Sequence, residues 1–110
     1  MLRMMILLLG LLAATDGFPP ASAASAAQAQ RVHVIVIDKM QYGPMPTDVR
    51  AGDIIEWTNK DILEHSATAR DGHFDVDLKP GTSGRITATA GTLAFFCKFH
   101  PTMTATLVVR

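Results

Sequence analysis

Cysteine is nearly missing from this chain: of its 110 residues only Cys97 is one. That excludes an intramolecular disulfide framework, the usual supplement to the core of a small secreted domain. It also excludes iron–sulfur clusters, which need several thiolates. Aromatic rings are scarce, with one Trp, one Tyr and five Phe, so Trp57 is expected in the core, where its large area counts most. An excess of one charge is lacking too. Ten Lys and Arg balance ten Asp and Glu and are interspersed with them, which removes the electrostatic case for nucleic acid or an anionic membrane surface as a partner. No apolar run is long enough to span a bilayer, which takes about 20 residues. The longest, Met4 to Ala14, is broken by Gly10, preceded by Arg3 and followed by a small-residue tract; this is the pattern of a secretory signal peptide.

Residues 1–29 are therefore assigned to a signal peptide with its Ala-rich cleavage region, and 30–110 to a single domain. Ala21-Ser22-Ala23, Ala24-Ser25-Ala26 and Ala27-Gln28-Ala29 all satisfy the small-x-small cleavage rule. No cysteine near the leader offers a lipid anchor, so the mature protein is expected in the periplasm, free of the membrane. A lone thiol in an oxidising compartment must be buried, bridged to another chain or captured by a metal. Metal capture would also stabilise the fold.

After Arg31 the chain reads as short strands separated by turns. Val32 to Ile37 is a β-branched run in which His33 takes the polar, half-exposed position of the alternation. Met40 to Pro46 is turn-rich and proline-bearing, a loop or an edge. Ile54 to Asn59 is a strand with Ile55 and Trp57 on one face; Lys60 to Glu64 is an irregular connection before a strand at His65 to Ala69. His73 follows the Arg70-Asp71-Gly72 turn and is read as a surface residue. Phe74 to Leu78, Arg85 to Thr89, Thr92 to Cys97 and Thr104 to Val109 complete the set. There is no helical period and no internal repeat, and about six or seven strands with regularly spaced turns predict an all-β fold, a two-sheet β-sandwich.

One stretch carries chemistry. Cys97-Lys98-Phe99-His100-Pro101-Thr102-Met103 offers a thiolate, an imidazole and a thioether at even three-residue spacing, and Pro101 favours a loop over a helix interior. Taken alone, the spacing is equally compatible with a buried Cys beside a core Met. His65, however, opens a strand in the same sandwich, and loops at one end of a sandwich cluster in space. Two imidazoles, one thiolate and a weak axial thioether form the donor set associated with blue copper. Zinc has no use for the Met.

These residues resemble the cupredoxin family, and within it the amicyanin and pseudoazurin-like small bacterial blue copper proteins. The likeness lies in Ala51 to Asn59, His65, Leu78-Lys79-Pro80-Gly81 and Phe95 to Met103, and it covers essentially the whole mature domain. It implies a Greek-key sandwich with one copper ion held by His65, Cys97, His100 and Met103, His100 being the exposed imidazole. It further implies a monomeric one-electron carrier, not an enzyme, which docks transiently near His100 with redox proteins such as a c-type cytochrome or a dehydrogenase. Phe99 and Pro101, with Met45 and Pro46, are candidates for an apolar docking patch. The alternative is periplasmic copper delivery or sequestration, for which Met40, Met45 and Met103 supply thioethers. Two positions depart from the family pattern: Ser66 stands where many members have an Asn that ties the ligand loops together, and Lys98-Phe99 separates Cys97 from His100.

Overall fold

The computed structural model describes residues 29–110 together with Gly10, Ala13, Ala14 and Gly17. The expected cleavage motifs, up to residue 28, lie outside the described residues. Among the described residues the regular elements are all strands: β1 (Val32–Asp38), β2 (Gln41–Tyr42), β3 (Ile54–Asn59), β4 (His65–Ala69), β5 (Asp75–Leu78), β6 (Ser83–Thr87), β7 (Gly91–Phe96) and β8 (Thr104–Val109). They form two four-stranded sheets, in the orders β2-β1-β3-β6 and β5-β4-β7-β8.

The strand beyond the expected count is β2, whose two residues pair antiparallel with the end of β1. Lys39 and Met40, the turn between them, both have positive φ, 51° and 62°, as the right-handed twist of a two-residue hairpin demands. Residues of that kind rarely accept it. Here Asp38 Oδ1 and Asp61 Oδ2 accept the two turn amides at 2.9 and 3.0 Å.

β1 and β3 run parallel, from Val32 opposite Ile54 to Ile37 opposite Asn59. A parallel pair needs a crossover, and residues 43–53 supply it along the side of the second sheet, where Val49 is fully buried and bridges Val109. Both β1 and β3 therefore end at the same pole of the sandwich. β4 starts there, and β7, antiparallel to β4, ends there, which is how His65 and Cys97 meet.

The core lies between the sheets. Ile35 and Ile37, Ile55 and Trp57, Ala67, Leu78, Phe95 and Leu107 are essentially inaccessible, and burying each large side chain contributes roughly 1.5–3 kcal/mol. Phe95 is its aromatic hub: Trp57 meets it edge-on at 5.4 Å between centroids and Tyr42 at 4.9 Å. On β6, a Cβ at Gly84 would stand 2.4 Å from Val76 Cγ1 of β5, so only glycine lets these two strands of opposite sheets approach so closely.

His33 corrects the expectation. It is 8% exposed and points inward in phase with Ile35 and Ile37, while Val32 and Val34, at 48% and 49%, face out. In Val-His-Val-Ile-Val-Ile both phases are apolar enough to be the inner one. The choice falls to a partner from another strand's approach, Asp53, whose Oδ2 lies 2.8 Å from His33 Nε2. His73 is at the surface as expected, its Nδ1 paired with Asp71 Oδ2 at 2.8 Å.

Candidate metal centre

The last β7–β8 pair is Phe96 opposite Thr104, so Cys97 and Met103 face each other one step beyond the ladder. The Cys97 N–H donates to the Met103 carbonyl at 3.0 Å and closes the loop. Within it the His100 N–H donates to the Cys97 carbonyl at 3.2 Å and the Met103 N–H to the His100 carbonyl at 2.9 Å. These are two β-turns sharing His100, which accounts for the even spacing of the donor residues. Pro101 occupies the second position of the second turn, where its fixed φ is favoured. Cys97 is wholly buried, Met103 is 5% exposed, and His100 is half-buried at the rim.

His65 opens β4 and is wholly buried. Its Nε2 lies 2.9 Å from Asp61 Oδ2. The Asp61 carboxylate is held down to a pKa of about 2, first by the hydrogen bond from His65 and then by the Met40 backbone N–H. An ionised carboxylate can only accept, so Nε2 carries a proton, and in the neutral ring Nδ1 keeps its lone pair. That nitrogen lies 3.7 Å from Cys97 Sγ. The separation fits the donor set: metal bonds of about 2.0 Å to nitrogen and 2.3 Å to sulfur, opened to a trigonal angle of about 120°, put the two atoms about 3.7 Å apart. A thiol S–H pointing at Nδ1 is equally comfortable at that distance in the metal-free protein. The His100 ring is 5.0 Å from that of His65, inclined by 58°.

Among the described residues no three His, Cys, Asp or Glu side chains already close on a point suited to a metal. The structure thus brings His65 and Cys97 into contact, sets His100 one ring away and seats Met103 in the buried cluster that includes Cys97.

Two supports of this site have no signal in the sequence pattern. Asp61 lies in the irregular connection, positioned by Asn59, whose Oδ1 accepts the Asp61 N–H at 2.9 Å and whose Nδ2 donates to the carbonyls of Leu63 and Leu78. Tyr42, on β2, donates its hydroxyl to the Ser66 carbonyl; burial, and secondarily the Cys97 charge, push its pKa well above the ordinary phenol value. Ser66, despite its short side chain, does tie the ligand loops together: it accepts the Lys98 N–H at 2.9 Å.

Three large apolar side chains are exposed at this pole, on the β3–β4 connection and the Cys97–Met103 loop. Ile62 is 87% exposed, and Leu63 and Phe99 43% each. Met45 and Pro46 line a hollow with Asp48, Thr106, Val108 and Arg110.

A small all-β sandwich with a thiolate, two imidazoles and a thioether gathered at one pole defines the class of molecule. The sequence model of the cupredoxin-like domain matches residues 3–109, and the chain belongs to that family. Amicyanin of Paracoccus versutus is 28% identical over 84 residues, 70% of this chain; the match spans 64% of that protein's length. A point mutant of amicyanin solved in its reduced Cu(I) form at pH 4 superposes with a TM-score of 0.60 at 27% identity, over 80% of this chain and 89% of that one. A purple cupredoxin from Nitrosopumilus maritimus shares the fold with a TM-score of 0.61 at 22% identity, over 70% and 98% of the two chains.

Proposed function

We propose that this domain holds a single copper ion through His65, Cys97, His100 and Met103 and carries one electron at a time between protein partners. The observation that carries the reading is the His65 Nδ1 to Cys97 Sγ separation of 3.7 Å, with Nε2 spent on Asp61. It is supported by membership of the cupredoxin-like family and by the amicyanin structure solved as a Cu(I) form. Bound copper supplies the one-electron exchange between Cu(I) and Cu(II). The residues supply the rest. Cys97 would give a strongly coupled thiolate in a buried setting, Asp61 fixes the tautomer and tilt of His65, and Met103 would offer a weak thioether donor that tunes the potential.

His100 is the exit for the electron, because it alone of the four reaches the rim. Around it Phe99, Ile62 and Leu63 form an apolar surface for brief docking with a redox protein such as a c-type cytochrome or a dehydrogenase, an encounter that needs only a small interface. The protein is a carrier and not an enzyme, works as a monomer, and acts in the periplasm after removal of residues 1–29. Intact-mass measurement of the secreted species should find a first residue between Ala24 and Arg31; a species retaining Met1 to Ala14 would sink the periplasmic carrier and point to an anchor.

The metal reading is tested by adding Cu(II) and recording the visible spectrum before and after reduction. An intense thiolate-to-copper band that bleaches reversibly, and is absent in Cys97→Ser, is the expected result. Copper that binds without such a band refutes the proposed ligand set. Copper that passes to a competing chelator within one redox cycle would favour delivery over electron transfer.

A further inference from the structure

We propose that Ser66, Thr68, Asp75 and Lys98 form one closed brace around the Cys97–Lys98 peptide, making Thr68 and Asp75 positioning residues for the thiolate although neither touches it. The proposal rests on the copper reading for its consequence, but the brace itself is defined by hydrogen bonds in the protein alone. The two departures from the family pattern, Ser66 and Lys98, turn out to be one feature.

The brace starts where backbone pairing stops. β4 and β7 pair at Thr68 with Phe96 and Ala69 with Phe95, and the same register continued would set Ser66 opposite Lys98. Instead of a ladder bond, the Lys98 N–H donates to Ser66 Oγ at 2.9 Å, one residue past His65 on one side and one past Cys97 on the other. The Ser66 and Thr68 hydroxyl oxygens are 2.9 Å apart, and the Thr68 hydroxyl donates to Asp75 Oδ1 at 2.9 Å. Each hydroxyl has one proton. Thr68 has spent its own on the carboxylate, so Ser66 must donate to Thr68.

The direction is therefore set throughout: Lys98 N–H to Ser66, Ser66 to Thr68, Thr68 to Asp75. A chain in which each oxygen donates onward leaves each a better acceptor for the bond behind it. At its end the Lys98 ammonium grips both oxygens of Asp75, at 3.1 and 3.0 Å, and reaches Asp77 Oδ1 at 2.6 Å. The circuit begins and ends on Lys98. Its exposed ion pairs alone would contribute little. Joined to the wholly buried Ser66, they hold the peptide that follows the thiolate from the outside of the sheet.

The test compares Thr68→Val, which removes the relay hydroxyl, with Thr68→Ser, which keeps it. Amide hydrogen exchange is read on metal-free protein, and the thiolate-to-copper band and the potential on copper-loaded protein. Thr68→Val should speed exchange of the Lys98 N–H about fivefold, the loss of one typical hydrogen bond, and shift the band, while Thr68→Ser matches wild type. Asp75→Ala, a change at an exposed side chain, should act like Thr68→Val even if that variant folds poorly. Glu56→Gln, whose carboxylate pairs with Arg85 on the other sheet and touches no member of the circuit, should leave both readouts unchanged. A Lys98 amide and a copper band that ignore both Thr68→Val and Asp75→Ala would overturn the brace. Absence of a thiolate band in wild type would instead overturn the copper reading, and the exchange rates would still decide the brace.

Discussion

The two poles of the sandwich carry the same small device. At one, His65 Nε2 lies 2.9 Å from Asp61 Oδ2; at the other, His33 Nε2 lies 2.8 Å from Asp53 Oδ2. Both histidines are buried. Both aspartates also accept backbone amides, Asp61 from Met40 and Ile62, Asp53 from Arg50 and Arg31. What separates them is the environment of the histidine. His65 turns its other nitrogen toward Cys97 Sγ with the His100 ring nearby, whereas His33 has Ile35 and Ile37 for in-phase neighbours on its strand. A carboxylate behind a buried imidazole orients it in both places; only at His65 does the oriented ring face a cysteine sulfur, the contact on which the proposed copper site rests. At the His33 pole it fastens the start of β1 to the turn entering β3.

The sharpest way to break this comparison is to remove each ring. His65→Ala should abolish the thiolate-to-copper band, and His33→Ala should leave it intact, with visible spectroscopy on copper-loaded protein as the check. A band that survives His65→Ala would show that another residue completes the site. The same His33→Ala protein should melt lower by about 4–8 °C, the shift expected when a domain of this size loses about one good hydrogen bond.

Replacing the carboxylates gives a smaller, graded effect. Asp61→Asn, which leaves the copper donors in place but weakens their support, should lower copper affinity about 10–100-fold in a chelator competition. Asp53→Asn should not change it. Equal losses from the two would mean that overall stability, and not the orientation of His65, governs binding.

The smallest effect concerns acid. The hydrogen bond from His33, then the Arg50 amide, holds Asp53 down to a pKa of about 2, against an ordinary 3.8. A carboxylate depressed in the folded state contributes stability that is present above the unfolded value and lost as pH falls through the folded one. Denaturant midpoints of metal-free protein should therefore decline between about pH 4 and pH 2, and Asp53→Asn should flatten part of that decline. A wild-type and variant pair with superimposable pH profiles would remove Asp53 from the account of acid stability.

Local chemistry in the sequence determined most of the strands and the ligand loop. Ile54 to Asn59 alternates cleanly because one face of β3 meets the core and the other does not, and burial follows the alternation residue by residue. Cys97, His100 and Met103 announce themselves because two fused turns advance the chain three residues each, with Pro101 where the second turn wants it. The remainder depended on partners distant in the chain. The phase of β1 was open because both faces of Val-His-Val-Ile-Val-Ile are apolar, and Asp53, 20 residues on, decided it. The β2 hairpin has no Gly or Asn to signal its positive-φ turn, and Asp61 from beyond β3 holds it. Asp61 itself sits in a segment without periodicity, so its role behind His65 appears only when Asn59 folds that loop back. Propensity and spacing act over a few residues and can be read in one dimension; the pairing of a buried charge with its partner is a property of position in space, which only the closed sandwich supplies.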